Sequence, residues 1–253
     1  MLRFPGQLDR MKNVHLDPLR DRLGHSSRLI DDHLRFLFIC YTNRCGSNLV
    51  AQLLASTGAF NLAGEFFNYD TTINQIEKNG LKDVVSYFDY LCRRVAKKGT
   101  LVSKLAVSHL QLLGKAGILD QIIEKSRFIV VERSDRLMQA ISLSIAAQTG
   151  QWTSYMPSRI PPEDIVYSRK QLEAIIENTV EQQRIFDLFF GLNGIEQLKI
   201  TYEQLVAAPE IHLTALSKWL GTDIGKVDLA QIPLQRQMSE RNMEWRHRFL
   251  SGR

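Results

Sequence analysis

Cysteine is scarce in this chain: Cys40, Cys45 and Cys92 are the only three in 253 residues. An odd number with no C-x-x-C pair argues against a disulfide framework or a cysteine zinc site, and it suits a reducing, cytoplasmic compartment. Long apolar runs are missing too. Phe36 to Tyr41 is the longest clear one, against the roughly 20 residues a membrane span needs. The first two dozen residues carry a charge every few positions and show no apolar stretch of a secretory signal, so no integral membrane span is expected. A strong excess of one charge is also lacking. Lys plus Arg is 32 and Asp plus Glu is 27, leaving +5, which fits an anionic ligand without making nucleic acid the partner. The six histidines show no H-x3-H or H-E-x-x-H spacing, and no metal is expected.

What is present is an ordinary globular composition, 44% hydrophobic and 23% charged, arranged as short apolar strands between helical patterns. Residues 1–34 are polar and are read as a surface extension. Residues 35–253 are read as a single domain. FLFIC, beginning at Phe36, is a buried strand candidate followed by TNRCGSN and then a helical face of Leu49, Val50, Leu53 and Leu54 that stops near Gly58. Residues 68–99 predict two amphipathic helices broken near Gly80, and 101–107 predict a second strand. Phe128–Val131 predicts a third strand, Arg136–Gln148 and Arg169–Phe190 two helices, and 195–205 a fourth strand entering a helix. A last helix is predicted over Pro209–Leu220, ending at Gly221. Alternating apolar strands and helices imply an α/β fold, with a parallel sheet covered by helices on both faces. In such sheets the ligand sits beyond the carboxyl ends of the strands, which directs attention to the loops after Cys40 and Val131.

The first loop has the chemistry of an anion cradle. Gly46 permits an inward turn of the amides, Arg44 adds a cation, and Ser47 and Asn48 add donors at a helix N-terminus. An ordinary turn with Ser47 or Asn48 as N-cap stays open beside it. The Walker pattern fails, since Ala51 stands five residues after Gly46 and no lysine follows. A cysteine phosphatase fails as well, because Ala51 occupies the place of the phosphate-gripping arginine. Cys45 is then a small, partly buried loop residue. The second loop presents Arg133 just past the third strand, with Ser142 nine residues on along the next helix. Arg133 suits bidentate phosphate recognition, although a plain pairing with a carboxylate stays open.

These loops resemble the cofactor sites of the sulfotransferases that use 3′-phosphoadenosine 5′-phosphosulfate (PAPS), in particular the bacterial Stf0-type family, which includes a trehalose sulfotransferase. FICYTNRCGSNLVAQLLASTG, GEFFN, VERSDRLMQAISLSIAAQTGQW, TYEQLVAAPE and a C-terminal run of Gln237, Asn242, Trp245, Arg248 and Phe249 carry the likeness over about 36–250. Asn43 and Cys45 stand where the family's common Pro-Arg-Ser-Gly-Ser loop has its proline and first serine. The resemblance implies a P-loop-like three-layer fold and a cytoplasmic sulfotransferase acting on a carbohydrate or glycolipid hydroxyl. It implies that Arg44, Cys45, Gly46, Ser47 and Asn48 hold the 5′-phosphosulfate and that Arg133 and Ser142 hold the 3′-phosphate. Glu65 would be the general base, with Phe66 and Phe67 desolvating it and raising its pKa. Arg44 is the first choice for the charge at the leaving phosphate. Lys104 is a second, and serves equally well as a solvated strand-end lysine.

The C-terminal run holds five arginines against two glutamates over 235–253. Gln237, Asn242 and Trp245 recur at helix-like intervals, as a lid contacting the nucleotide or as a helix packed on the core. The resemblance also allows a homodimer. His109 is read as a core or edge histidine. The competing functions are a P-loop-type nucleotide kinase or nucleotide-binding protein, and a basic surface for nucleic acid.

Overall fold

Parity along the strands decides the architecture. In the computed structural model, which describes residues 2–6, 17–24, 31–153, 156–221 and 239–252, the first strand β1 (Arg35–Tyr41) is buried at every position after its first. Phe36, Phe38 and Cys40 enter one apolar cluster, while Leu37, Ile39 and Tyr41 enter another on the opposite face. A strand buried on both faces cannot show polar alternation, which is why the FLFIC run reads as continuous. β2 (Thr100–Leu105), β3 (Ser126–Glu132) and β4 (Gln197–Thr201) pair in parallel with it, in the order β2-β1-β3-β4.

Helices cover both faces, giving three layers. On one face lie α1 (Ser47–Ser56), α8 (Tyr202–Ala207) and α9 (Pro209–Leu220), which bury Val50, Leu53, Leu54, Leu205, Leu213 and Leu216 with the odd-numbered residues of β1. On the other lie α2 (Tyr69–Lys78), α3 (Val84–Arg94), α4 (Val107–Lys115), the short α5 (Leu119–Ile122) and α7 (Arg169–Asn193). Their core is aromatic: Phe36 stacks on Phe88 at 5.5 Å, Phe38 on Phe128 at 5.5 Å, and Phe128 meets Phe190 at 5.2 Å. Each such ring, fully buried, contributes about 1.5–3 kcal/mol over leaving it in water. A smaller cluster joins α6 (Arg136–Thr149), α7 and the terminal helix α10 (Glu240–Leu250) through Ile141, Leu172 and Trp245.

The expectation of a surface extension before residue 35 needs correction for its described part. Leu19 is 1% exposed and sits in the aromatic core, Phe4 packs on Phe189 at 5.5 Å, and Arg3 exchanges two hydrogen bonds with the Asn193 side chain. A few apolar residues in a polar sequence carry no periodicity, so their docking was invisible without the partner surface.

The sheet order positions the site. The chain leaves β1 for β2 on one side and returns to β3 on the other. The loops after β1 and β3 therefore diverge at a topological switch point of the carboxyl edge, the place where ligands of such sheets bind.

Candidate active site

The first loop is held by backbone geometry and by a buried glutamine. Gly46 (φ 97°) and Arg44 (φ 66°) both lie in the left-handed region, and for arginine that costs about 1–2 kcal/mol. Offsetting bonds come from α6: the Gln139 amide donates to Thr42 Oγ1 at 2.9 Å and to the Asn43 carbonyl at 2.8 Å. Gly46 itself is the N-cap of α1 and has no side chain to cap with, so the alternative with Ser47 or Asn48 as N-cap does not hold. Cys45 donates its amide to the Thr42 carbonyl at 3.2 Å, and its thiol is fully buried, which pushes its pKa up. It is the small loop residue anticipated, turned into the core.

Arg44 reaches across the carboxyl edge. Its Nε donates to Ser142 Oγ at 2.9 Å and its Nη1 to the Trp152 carbonyl at 2.6 Å. Burial first, and then the neighbouring Arg133, lower its pKa from the usual guanidinium value. Arg133 leans over from the second loop, with Nη1 at 3.4 Å from the Arg44 carbonyl. Its Nε is buried and has no hydrogen-bond partner. The two guanidiniums stand beside each other, with the Glu203 carboxylate 4.0 Å from Arg133 Nε, too far for that buried donor to be hydrogen-bonded. Thus Arg44, Arg133 and Ser142 come together, although the chain separates the first from the last by 98 residues.

A second cluster forms at the other end of the loop. Gly64 bridges to Ser103 in parallel, and the Lys104 amide donates to the Gly64 carbonyl at 2.9 Å, laying the GEFFN segment along the free edge of β2. Asn61 continues that edge, its side chain exchanging hydrogen bonds with Val102 N and O at 2.9 and 2.8 Å. Glu65 is thereby carried to Lys104, whose Nζ lies 2.7 Å from Glu65 Oε1 and 2.8 Å from Asn48 Oδ1. Lys104 is 5% exposed, so the solvated strand-end alternative falls. Its Nζ also stands 4.4 Å from the centre of the Tyr41 ring.

The expected rise in the Glu65 pKa is overturned. Burial does push it up, but the charge and hydrogen bond of Lys104, joined by a hydrogen bond from Tyr41, outweigh burial and hold it below the ordinary 4.5. Glu65 is therefore ionised at neutral pH, held so by a neighbouring cation against its burial. His109 is buried as anticipated, accepting from the Ala106 amide at 3.2 Å and edge-on to Tyr41 at 6.2 Å.

The C-terminal residues divide differently. Gln237 lies outside the described residues. Trp245 is 3% exposed and packs edge-on against Tyr167 at 5.4 Å. Asn242 Oδ1 accepts from the Ser239 amide at 3.0 Å and its hydroxyl at 2.7 Å, capping α10. Both side chains thus serve the packing of that helix. Arg246 ties it to the second loop through Asp135, at 2.9 and 2.7 Å. Tyr41, Gln139, Tyr202 and Glu203 belong to the site and carried no role in the sequence. The signal for the last two lay in TYEQ, directly after a predicted strand.

With this geometry in place, the likeness to known proteins can be localised. The sequence model of the family described as Stf0 sulphotransferase matches residues 93–251. That span includes Lys104, Arg133 and Ser142, and leaves the first loop and Glu65 before it. A trehalose 2-sulfotransferase of Mycobacterium tuberculosis (strain ATCC 35801 / TMC 107 / Erdman) is 31% identical over 137 residues, 53% of this chain and 49% of that protein. The chain thus matches about half the length of this curated relative. Among solved structures, the sulfotransferase domain of the Synechococcus PCC 7002 olefin synthase superposes with a TM-score of 0.47 at 13% identity, over 89% of this chain and 98% of that one.

Proposed function

The chain belongs to the Stf0 sulphotransferase family, and from that premise we propose that it transfers a sulfuryl group from PAPS to a hydroxyl of a carbohydrate or glycolipid. The observation that carries this reading is the Asn48–Lys104–Glu65 chain of contacts, which sets a cation and an ionised carboxylate at the mouth of the anion loop. The likeness to a trehalose 2-sulfotransferase supports a sugar hydroxyl as acceptor.

The residues present fit a doubly anionic nucleotide. Arg44 and Arg133 stand side by side with Glu203 4.0 Å from the second of them and Arg133 Nε without a hydrogen bond, an arrangement an anion would complete, and the N-terminus of α1, entered through Gly46, favours a second anionic group. In this reading Arg133 and Ser142 hold the 3′-phosphate, while Arg44 and the backbone of Cys45, Gly46, Ser47 and Asn48 hold the 5′-phosphosulfate. The donor supplies the sulfuryl group and a phosphate leaving group. Glu65 accepts the proton of the acceptor hydroxyl as that oxygen forms its bond to sulfur and the bond to the leaving phosphate oxygen breaks. Lys104 and Arg44 stabilise the charge that develops on the transferring and leaving oxygens, which is most of what such a transfer asks of a protein.

Two measurements test the reading. Calorimetry should detect binding of the product 3′-phosphoadenosine 5′-phosphate, and labelled donor should label a sugar in a panel of carbohydrate acceptors. No binding at millimolar nucleotide would overturn the reading, and stabilisation by ATP exceeding that by the bisphosphate would favour a kinase-like function. Retention on DNA or RNA that fades with salt would favour the nucleic-acid surface. Replacing Arg133 by Lys keeps the charge and loses the fork. The bisphosphate should then bind about tenfold more weakly, with little change in kcat at saturating donor.

A further inference from the structure

Tyr202 and Glu203, the first two residues of α8, touch both anion loops at once. β4 ends level with β3, since Thr201 pairs with Glu132, and the chain then turns over the carboxyl edge. The Tyr202 ring lies against the first loop: a Cβ built on Gly46 would stand 2.5 Å from Tyr202 Cδ2. Glycine at position 46 is therefore demanded twice, by its φ of 97° and by this ring. The same ring faces the second loop, with the Arg133 guanidinium carbon 5.2 Å from its centre, inside the range of a cation–π contact.

Glu203 holds the second loop by its backbone. Its carboxylate accepts from the Ser134 amide at 2.9 Å and from the Asp135 amide at 3.3 Å. Arg133 Nε stands farther off, at 4.0 Å from Oε1. A plain counter-ion would close on the guanidinium. Here the shorter bonds go to the amides, and Arg133 Nε remains without a hydrogen-bond partner.

We propose that the β4–α8 junction is the positioning element of the site: Tyr202 is the wedge that sets the separation of the two loops, and Glu203 the anchor that keeps the Arg133 loop in place while leaving its guanidinium for a ligand. The consequence for ligand affinity rests on the donor reading above. The effect on the loop does not.

The experiment therefore reads both. In Glu203→Gln, amide exchange at Ser134 and Asp135 should accelerate about tenfold in the ligand-free protein, as a charged acceptor is exchanged for a neutral one. Bisphosphate affinity and donor KM should worsen about tenfold, with kcat at saturating donor changing less. Tyr202→Phe keeps the ring and should stay within about twofold of wild type, whereas Tyr202→Ala should weaken bisphosphate binding about tenfold through the lost cation–π contact and the loosened loop. If Tyr202→Ala does not fold, Tyr202→Leu carries the same expectation. Unchanged exchange in Glu203→Gln overturns the inference whatever the nucleotide does. Accelerated exchange in a protein whose wild type binds no bisphosphate sustains the inference and removes the donor reading.

Discussion

Glu65→Gln should lose about 10²–10⁴-fold in turnover, the usual worth of a positioned general base, while binding the bisphosphate within about threefold of wild type, under roughly 0.7 kcal/mol. The split follows from where Glu65 sits. Its ion-pair partner is Lys104, 2.7 Å away, and it lies on the GEFFN segment beside β2, not on the loop that carries Arg44. A glutamine still offers a carbonyl oxygen to Lys104, so the pocket keeps its shape and its charge becomes more positive by one. Nucleotide binding therefore has no reason to weaken. Equal turnover in the two proteins would remove Glu65 as the base, and a parallel loss of turnover and nucleotide affinity would make it structural.

Lys104→Met should cost about 10²–10³-fold in kcat, on the scale of one preorganised donor to a developing anion, and should also move the pH profile. The sign follows from the balance at Glu65. Burial raises its pKa, and Lys104 is the leading influence holding it below 4.5. In the wild type the acid limb of kcat/KM should therefore lie below the ordinary glutamate value, with activity level through neutrality. With methionine at 104, burial acts against a weaker opposition and the acid limb shifts to higher pH. Stability moves with it. A depressed carboxylate pKa contributes stability that is present above 4.5 and is lost as the pH falls through the folded value; the variant lacks that contribution and its stability should depend less on pH in this window. A variant with reduced kcat and an unmoved acid limb would place Lys104 on the donor alone, with no hold on Glu65.

The strands and helices were legible because they are made by local pattern. FLFIC, RFIVV and the 3.6-residue stripes of α1, α6, α7 and α9 declare themselves in windows of five to fifteen residues. Gly58, Gly150, Gly194 and Gly221 all take positive φ at or just beyond helix ends, as glycines placed there do. Three of the cationic and hydroxyl groups were legible as well, since Arg44, Arg133 and Ser142 directly follow β-strands or line the next helix. The partner of Glu65 was not. Lys104 sits inside an apolar strand, and a lysine there reads equally as solvated until the GEFFN segment is seen to lie along the β2 edge. The direction of the Glu65 shift failed for the same reason: two neighbouring phenylalanines are visible in the sequence, whereas a cation 39 residues away is not.

The sequence by itself determined the α/β alternation, the two loops at one sheet edge and the family, because each depends on neighbours within a turn or a strand, or on motifs in order along the chain. Tertiary structure alone decided which charges face each other. Arg44 finds Ser142 across 98 residues, Lys104 finds Glu65 across 39, and Glu203 finds the Ser134 amide across 69. Coulombic and hydrogen-bond energies act over a few ångströms of space, and chain separation says nothing of that distance until the parallel sheet has brought its carboxyl ends together.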